Sequence, residues 1–455
     1  MVGFTRRTLA VLVGTAALVA LAPAAASAAP SPVARPTVQG PLPGTAPGDP
    51  KSPNIKDTYP FFSTYLDLRK AGFVEEEFHL SGKADAYSAT GAVEGTDVAY
   101  KTRVVVRRPA NAKKFNGRVL VEWQNVTAGY DLDALWNYRD ILREGYAWVG
   151  VSAQRVGVDQ LRGWSPARYG DLDVTGAGQF TTDQLSYDIF SQAAQAIRSP
   201  QGTKLLGGLK AKTILAIGAS QSAGRMVVYY DRVLPQIQPV FDGYGFIVGG
   251  APTRVGKEPV FQVLSETDVR TPDRRADSNV FRRWEVAGSA HSGWDGQEYR
   301  GPLSERDLGG VTQYNCDRQP FSRMPIHQVT GTAYDHLARW AERGTPPPAA
   351  PVIQFNADGT KARDENGFVK GGIRLSQLTV PTALNDGDNS GESFCRLFGS
   401  YTPYDQATLK KLYPSKGRYV AAVVATDLRN IRAGYITPAD AALNLKDALA
   451  ADLGK

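Results

Sequence analysis

Cysteine and histidine are scarce in this 455-residue chain, which has two of the one and four of the other. So few thiol and imidazole ligands exclude a zinc-cluster protein and a scaffold built on disulfides. No internal repeat is present at a period of about 20 to 50 residues, which excludes a solenoid or a propeller. Charge of one sign is not in large excess. The formal net charge is +7, part of it supplied by Arg6 and Arg7, and spread over this length it gives no basis for binding nucleic acid. What is there is ordinary globular material: 42% hydrophobic, 21% charged and 10% aromatic. Such values exclude a disordered chain. The 46 glycines and 29 prolines are scattered and mark many turns. The length fits several average domains or one large α/β unit with insertions.

The first 28 residues read as an export signal. Arg6-Arg7 precede an apolar run from Leu9 to Leu21, and Ala26-Ser27-Ala28 places small residues at cleavage-site spacing. Thr5-Arg6-Arg7-Thr8-Leu9 also resembles a twin-arginine signal, so the route is general secretion or twin-arginine export. Pro23 interrupts the run before the roughly 20 residues of a membrane span, and no later stretch is apolar enough to cross a bilayer. Residues 29–56, rich in Pro, Ala and Gly, read as a flexible leader, and residues 57–455 as the functional domain. The expectation is a secreted protein with no transmembrane segment once mature.

Export changes how the cysteines read. In an oxidising compartment Cys316 and Cys395 are expected to form one disulfide. It would close a loop of 79 residues, for which a chain-entropy argument gives at most about 4 to 5 kcal/mol.

Strand and helix signals alternate through the middle of the chain. Val98–Arg108, Arg118–Trp123, Ala147–Ser152, Thr213–Ile217, Gly245–Val248, Val260–Leu264 and Arg283–Ala287 have the composition and period of strands. Leu132–Glu144, Thr182–Ile197 (with Thr181 or Thr182 as N-cap) and Gln221–Val233 have helical spacing. Strands separated by helices of this length imply βαβ units. The fold class is α/β, with a mostly parallel central sheet covered by helices on both faces.

The chemical signal lies where one strand ends. Thr213–Ile217 runs into Gly218-Ala219-Ser220-Gln221-Ser222-Ala223-Gly224, and a helix follows at once. A Gly-x-Ser-x-small element at a strand-to-helix turn is a nucleophile elbow. The sharp turn needs small neighbours and leaves the Ser220 hydroxyl clear of the sheet, while the backbone N–H of Gln221 points at a developing oxyanion. Ser222 replaces the usual second glycine and is the alternative nucleophile. A serine nucleophile needs a base and an acid to orient it, and in this fold both follow in later strand-end loops. Strand Val260–Leu264 ends in Ser265-Glu266-Thr267-Asp268, and Arg283–Ala287 ends in Gly288-Ser289-Ala290-His291. His291 is therefore the expected base. Asp268 is favoured as the acid by its offset from the strand end, with Glu266, closer and longer, as the alternative. His79, His327 and His336 read as structural, with His327 also a candidate to line the pocket.

These motifs, with Val121-Glu122-Trp123-Gln124-Asn125-Val126-Thr127, Val149–Gln154 and Trp284–His291, resemble an exported alpha/beta hydrolase domain-containing family with a G-x-S-Q-S elbow. The two cysteines fit the same pattern. The resemblance covers most of the chain from about Lys56 onward. It implies an α/β-hydrolase fold and a serine hydrolase with neither metal nor organic cofactor, and it leaves the substrate open.

The second oxyanion donor is expected from the loop after Trp123, at the backbone of Asn125 or Val126. Asp386-Gly387-Asp388-Asn389-Ser390-Gly391 resembles the start of a calcium loop, but Leu397 stands where a bidentate Glu is required, so it reads as a polar turn. The gap Gly249–Glu258 is too short for a cap. Two longer irregular stretches, Gln154–Phe180 with Trp164 and Tyr169, and Gly293–Phe398, are the candidates to roof the pocket for an apolar acyl or aryl group. The expected function is hydrolysis of a small-molecule or lipid-like carboxylic ester through an acyl-enzyme. The alternatives are acyl transfer on the same triad, or a secreted binding protein that keeps the fold. Nothing in the sequence speaks to oligomeric state.

Overall fold

The computed structural model describes residues 1–3, 29–44, 55–133 and 137–453. Most of the expected export signal therefore lies outside the described residues. The strands are β1 (Thr37–Gln39), β2 (Phe73–Tyr87), β3 (Val93–Pro109), β4 (Arg118–Trp123), β5 (Ala147–Val151), β6 (Thr213–Ala219), β7 (Gly243–Ile247), β8 (Val260–Ser265) and β9 (Phe281–Val286). Among the described residues they form one nine-stranded sheet in the order β1-β2-β3-β5-β4-β6-β7-β8-β9. From β5 to β9 every pairing is parallel, whereas β1, β2, β3 and β5 pair antiparallel. The strands β5, β6, β7 and β8 are buried along their whole length. That is the pattern expected of parallel strands covered on both faces.

Each face has its own apolar core. On one side the helix Ser186–Arg198 packs Phe190 against Trp123, with ring centroids 4.7 Å apart. On the other, the helix Ile326–Arg343 sets Leu337 and Ala338 in a cluster with Leu215, Ile217 and Trp284. The terminal helices Lys416–Ala433 and Pro438–Ala450 close a third, smaller cluster, and Thr437 caps the latter through a reciprocal bond with Asp440. No helix among the described residues is long and apolar enough to cross a membrane.

Several boundaries differ from the sequence reading. The helix expected at Leu132 begins at Tyr138, because Leu132 is held in an antiparallel bridge with Asn125; residues 134–136 lie outside the described part. The helix expected at Thr182 begins at Ser186, so neither Thr181 nor Thr182 is its cap. Asp183, at φ 64°, turns the chain there, and its carboxylate accepts the Arg155 N–H at 2.8 Å. The helix after Ser220 is α-helical to Val228 and continues as a π turn to Val233.

The segment read as a flexible leader is partly built into the sheet. Thr37–Gln39 pair with His79–Ser81, Ser31 bridges to Ile237, and Val33 and Val38 are buried. Residues 45–54 of that segment lie outside the described residues.

The early strand-like segment around His79 is the fifteen-residue strand β2. Its Glu75-Glu76-Glu77 run hides the strand period, but β3 carries the complement. Glu75 bonds Arg107 at 2.6 Å, Glu76 bonds Arg108 at 2.6 Å, and the buried Glu77 meets Arg168 and Arg103. His79 lies in this ribbon. Burial and the positive charge of Lys101 hold its imidazole down to about 4, so it is neutral near pH 7.

Candidate active site

Strand β6 leads directly into the helix Gln221–Val228, and Ser220 occupies the junction at φ 57° and ψ −117°. Left-handed φ strains any residue with a Cβ, so the turn survives only because its surroundings enforce it. A Cβ on Gly218 would lie 2.7 Å from Met226 Sδ and 3.0 Å from Ser222 O; one on Gly249 would lie 3.0 Å from Ser220 O. Neither position takes a side chain without a shift of its neighbours. The Ser220 N–H donates to Ile247 O at 2.9 Å, fastening the elbow to the end of β7. Ser222 faces the other way. Its hydroxyl is fully buried, donates to Ala219 O at 2.9 Å and accepts the Ala219 N–H at 3.0 Å, so it braces the turn and does not line the cavity that Ser220 lines.

His291 follows β9, and its Nδ1 lies 2.7 Å from Asp268 Oδ1. The other Asp268 oxygen accepts the Ser265 hydroxyl at 2.5 Å, and the His291 N–H donates to Thr267 Oγ1 at 3.2 Å. The short turn Glu266–Asp268 after β8 thus holds the imidazole by both ring and backbone. With Nδ1 donating to a carboxylate, Nε2 is left to accept a proton. Ser220 and His291 line one cavity of about 320 Å³.

Glu266 is elsewhere. It is buried, accepting the Gly288 N–H at 2.7 Å through one oxygen and Arg363 at 2.9 Å through the other. Burial pushes its carboxyl up, against the pull of Arg363. The carboxylates of Glu266, Asp386 and Asp388 converge closely enough to hold a cation. One Arg363 nitrogen, however, lies 2.9 Å from each of them, and Arg318 and Lys361 take further oxygens of Asp386 and Asp388. The Arg363 guanidinium occupies the place between the three carboxylates.

The candidate oxyanion loop divides between its two residues. The backbone N–H of Asn125 is committed to Leu132 O at 3.3 Å. The amide of Val126 therefore remains as the donor from this pair, beside that of Gln221 at the helix start. The Asn125 side chain acts as a brace. Its Nδ2 donates to Ala219 O at 3.0 Å, and its Oδ1 accepts the Thr127 N–H at 2.8 Å. A further brace is Gln154, fully buried at the end of β5. Its Nε2 donates to Gln124 O and to Gln221 Oε1, each at 3.2 Å, while Gln221 Nε2 donates to its Oε1 at 2.5 Å. Sequence reasoning quoted Gln154 in a motif without giving it work. Its place just after β5, with β4 alone between that strand and the elbow strand β6, is what brings it to Gln221.

Of the two stretches expected to roof the cavity, only the second does so. Leu308, Val311, Tyr314, Phe394 and Phe398 line it, all from within Gly293–Phe398. Trp164 and Tyr169 instead pack beside Tyr59 and Phe61 in the apolar core. They are aromatic because they are buried, not because they meet substrate. Cys316 and Cys395 are bonded, with Cα atoms 5.4 Å apart. His327 bonds Asp295 at 3.0 Å on the flank of the helix Ile326–Arg343, away from the cavity lining, and His336 bonds Gly434 O at 2.9 Å.

Residues 38–446 match the family described as alpha/beta hydrolase domain. The chain belongs to that family. Similar solved structures include the esterase Est22, at 13% identity over 43% of this chain and 65% of its own, with a TM-score of 0.28. A rice cell wall degrading esterase, LipA from Xanthomonas oryzae, is 13% identical over 39% of this chain and 42% of its own, with a TM-score of 0.22. A CE15 glucuronoyl esterase from Teredinibacter turnerae is 8% identical over 45% and 59%, with a TM-score of 0.27. The hydrolase domain described here thus spans less than two thirds of the length of each. No curated protein is significantly similar to it.

Proposed function

We propose that this chain is an exported serine hydrolase that cleaves carboxylic esters. One observation carries the reading: a serine held at positive φ on a strand-to-helix elbow opens into the same cavity as a histidine whose Nδ1 is bonded to a carboxylate. In this reading Ser220 Oγ attacks the ester carbonyl carbon while His291 Nε2 takes its proton. Asp268 fixes the tautomer and stabilises the imidazolium. The carbonyl oxygen, now negative, is met by the N–H groups of Gln221 and Val126. Collapse expels the alcohol, which receives the proton from His291. Water, deprotonated by the same imidazole, then attacks the acyl-enzyme and releases the acid and Ser220.

A fluorophosphonate probe tests this directly. One covalent adduct per chain is expected, on the peptide holding Ser220, together with turnover of p-nitrophenyl esters. A folded protein that neither labels nor turns over esters would point to a secreted binding protein instead.

Export rests on the basic start, the apolar run and the Ala-x-Ala spacing of residues 1–28. Mass spectrometry of the protein recovered outside the cell is expected to show Met1 to Ala28 missing. Full-length chain held in the membrane fraction would refute it.

A further inference from the structure

The inner half of the cavity is fixed by the sheet. Ser220, His291 and Asp268 all sit at strand ends, tied by the bonds described above. The outer half is different. It is built from residues 309–317, which carry no helix or strand, and from the short turn Ser393–Leu397. Val311, Thr312 and Tyr314 reach the cavity from the first; Phe394, Leu397 and Phe398 reach it from the second or just beyond it. These side chains are mostly apolar or aromatic.

Few contacts hold the first stretch in place, and most lie at its far end, where Cys316 bridges Gly391 and the Ser390 hydroxyl donates to Asp317 Oδ2 at 2.6 Å. At its near end the Gly310 N–H reaches Ser304 O at a long 3.4 Å. At its far end the Asp317 N–H donates to Ser390 O at 2.9 Å and the Glu392 N–H to Asn315 O at 3.3 Å. The Tyr314 ring meets Phe398 edge-on, with centroids 4.7 Å apart. The Cys316–Cys395 bond lies among these contacts, with Cys316 two residues beyond Tyr314 and Cys395 between Phe394 and Leu397. It is the one covalent tie between the two halves of the wall. Val311, near the tip, is 44% exposed, so burial alone does not order this stretch.

We propose that this disulfide is a specificity-determining element. It holds residues 309–317 against Ser393–Phe398, so that the cavity is already shaped to grip an apolar alkyl or aryl group at the end of the ester remote from the carbonyl. A wall ordered before binding does not have to be ordered by the substrate, and the benefit falls only on substrates long enough to touch it. The inference rests on the ester-hydrolase reading above, and it names the class of substrate: esters with an extended apolar group. Short esters, which meet only the strand ends, do not need the bridge.

The test compares the native enzyme with the Cys316→Ser, Cys395→Ser double variant on methyl acetate against methyl octanoate, and on methyl acetate against octyl acetate. In at least one pair the variant is expected to show KM raised about tenfold for the long member. Its kcat, and both constants for the short member, should stay within about twofold. Equal losses on long and short esters would make the bridge a general structural tie, and no change on either would detach it from the cavity; both overturn the proposal. Tyr314→Ala, which keeps the bridge but removes its ring contact with Phe398, is expected to act in the same direction and serves if the double variant does not fold. Hydrogen exchange supplies a readout independent of chemistry. Amides in 309–317 should exchange at least tenfold faster without the bridge, while those in 213–220 keep their protection. If the native protein turns over no ester while exchange changes as expected, the hydrolase reading fails and the wall remains; unchanged exchange in 309–317 overturns the wall itself.

Discussion

Replacing Ser220 or His291 by alanine is expected to lower ester turnover by about six powers of ten each, and the double variant by no more than either alone, because a nucleophile and its base act as one unit. Asp268→Asn should cost less, roughly four powers of ten. The asparagine can still occupy the position beside Nδ1, but it favours the wrong tautomer and cannot stabilise an imidazolium. Glu266→Gln should leave the rate close to native. Its carboxylate is spent on the Gly288 N–H and Arg363, and Arg363 keeps Asp386 and Asp388 as partners. Steady-state kinetics on purified variants, with circular dichroism to check the fold, decides the order. A greater loss at Glu266 than at Asp268 would reassign the acid. Native-like turnover by Ser220→Ala would remove the nucleophile.

Asn125→Ala is expected to lower kcat by about two powers of ten with little change in KM. The side chain touches no part of the triad, but it spans the two loops that supply the oxyanion donors. It donates to Ala219 O, one residue before Ser220, and accepts the N–H of Thr127, one residue after Val126. Without it, the Thr127 N–H loses its partner, Ala219 O keeps only the Ser222 hydroxyl, and the Val126 N–H loses its aim. Because oxyanion donors act on the charge that develops in the transition state, the loss should fall on kcat. Asn125→Asp should do no better, since it sets a carboxylate oxygen against Ala219 O. A native kcat in the alanine variant would take this loop out of the oxyanion site.

How far the sequence could be read depended on whether a signal was local. The elbow was legible because each of its demands is met within a few residues: a strand-end glycine, a serine two positions later, a helix at once. The strand before Asp268 was legible because a buried parallel strand has few polar residues to blur it, whereas the strand before His291 carries Arg282, Arg283 and Glu285 and was read from its apolar end, with its start two residues late. Between Asp268 and Glu266 local sequence could favour one but offered no contact to decide on. What separates them in space is Arg363, nearly a hundred residues away, which draws Glu266 toward Asp386 and Asp388. The β2 ribbon was obscured for a related reason. Glu75, Glu76 and Glu77 hide the start of the strand until Arg107, Arg108, Arg103 and Arg168 are seen beside them. Trp164 and Tyr169 misled in the opposite sense, since an aromatic residue in an irregular stretch can serve a core as readily as a pocket.

The position of β1 bears on association between copies of the chain. A sheet edge offers a row of backbone donors and acceptors to any other chain that can pair with it, and long flat edges invite aggregation. Here the outermost strand is only Thr37–Gln39, followed at once by Gly40-Pro41, while the strand it covers, β2, runs for fifteen residues. The sheet therefore ends in a short stub whose continuation cannot donate at proline. That stub belongs to the most upstream part of the chain that the structure places on the sheet, a few residues beyond the proposed processing site at Ala28. Where a protease trims this end thus decides which edge the molecule shows its neighbours. A cut before Ser31 keeps the stub, whereas a cut past Gln39 would uncover amides of β2 and leave a template for self-association.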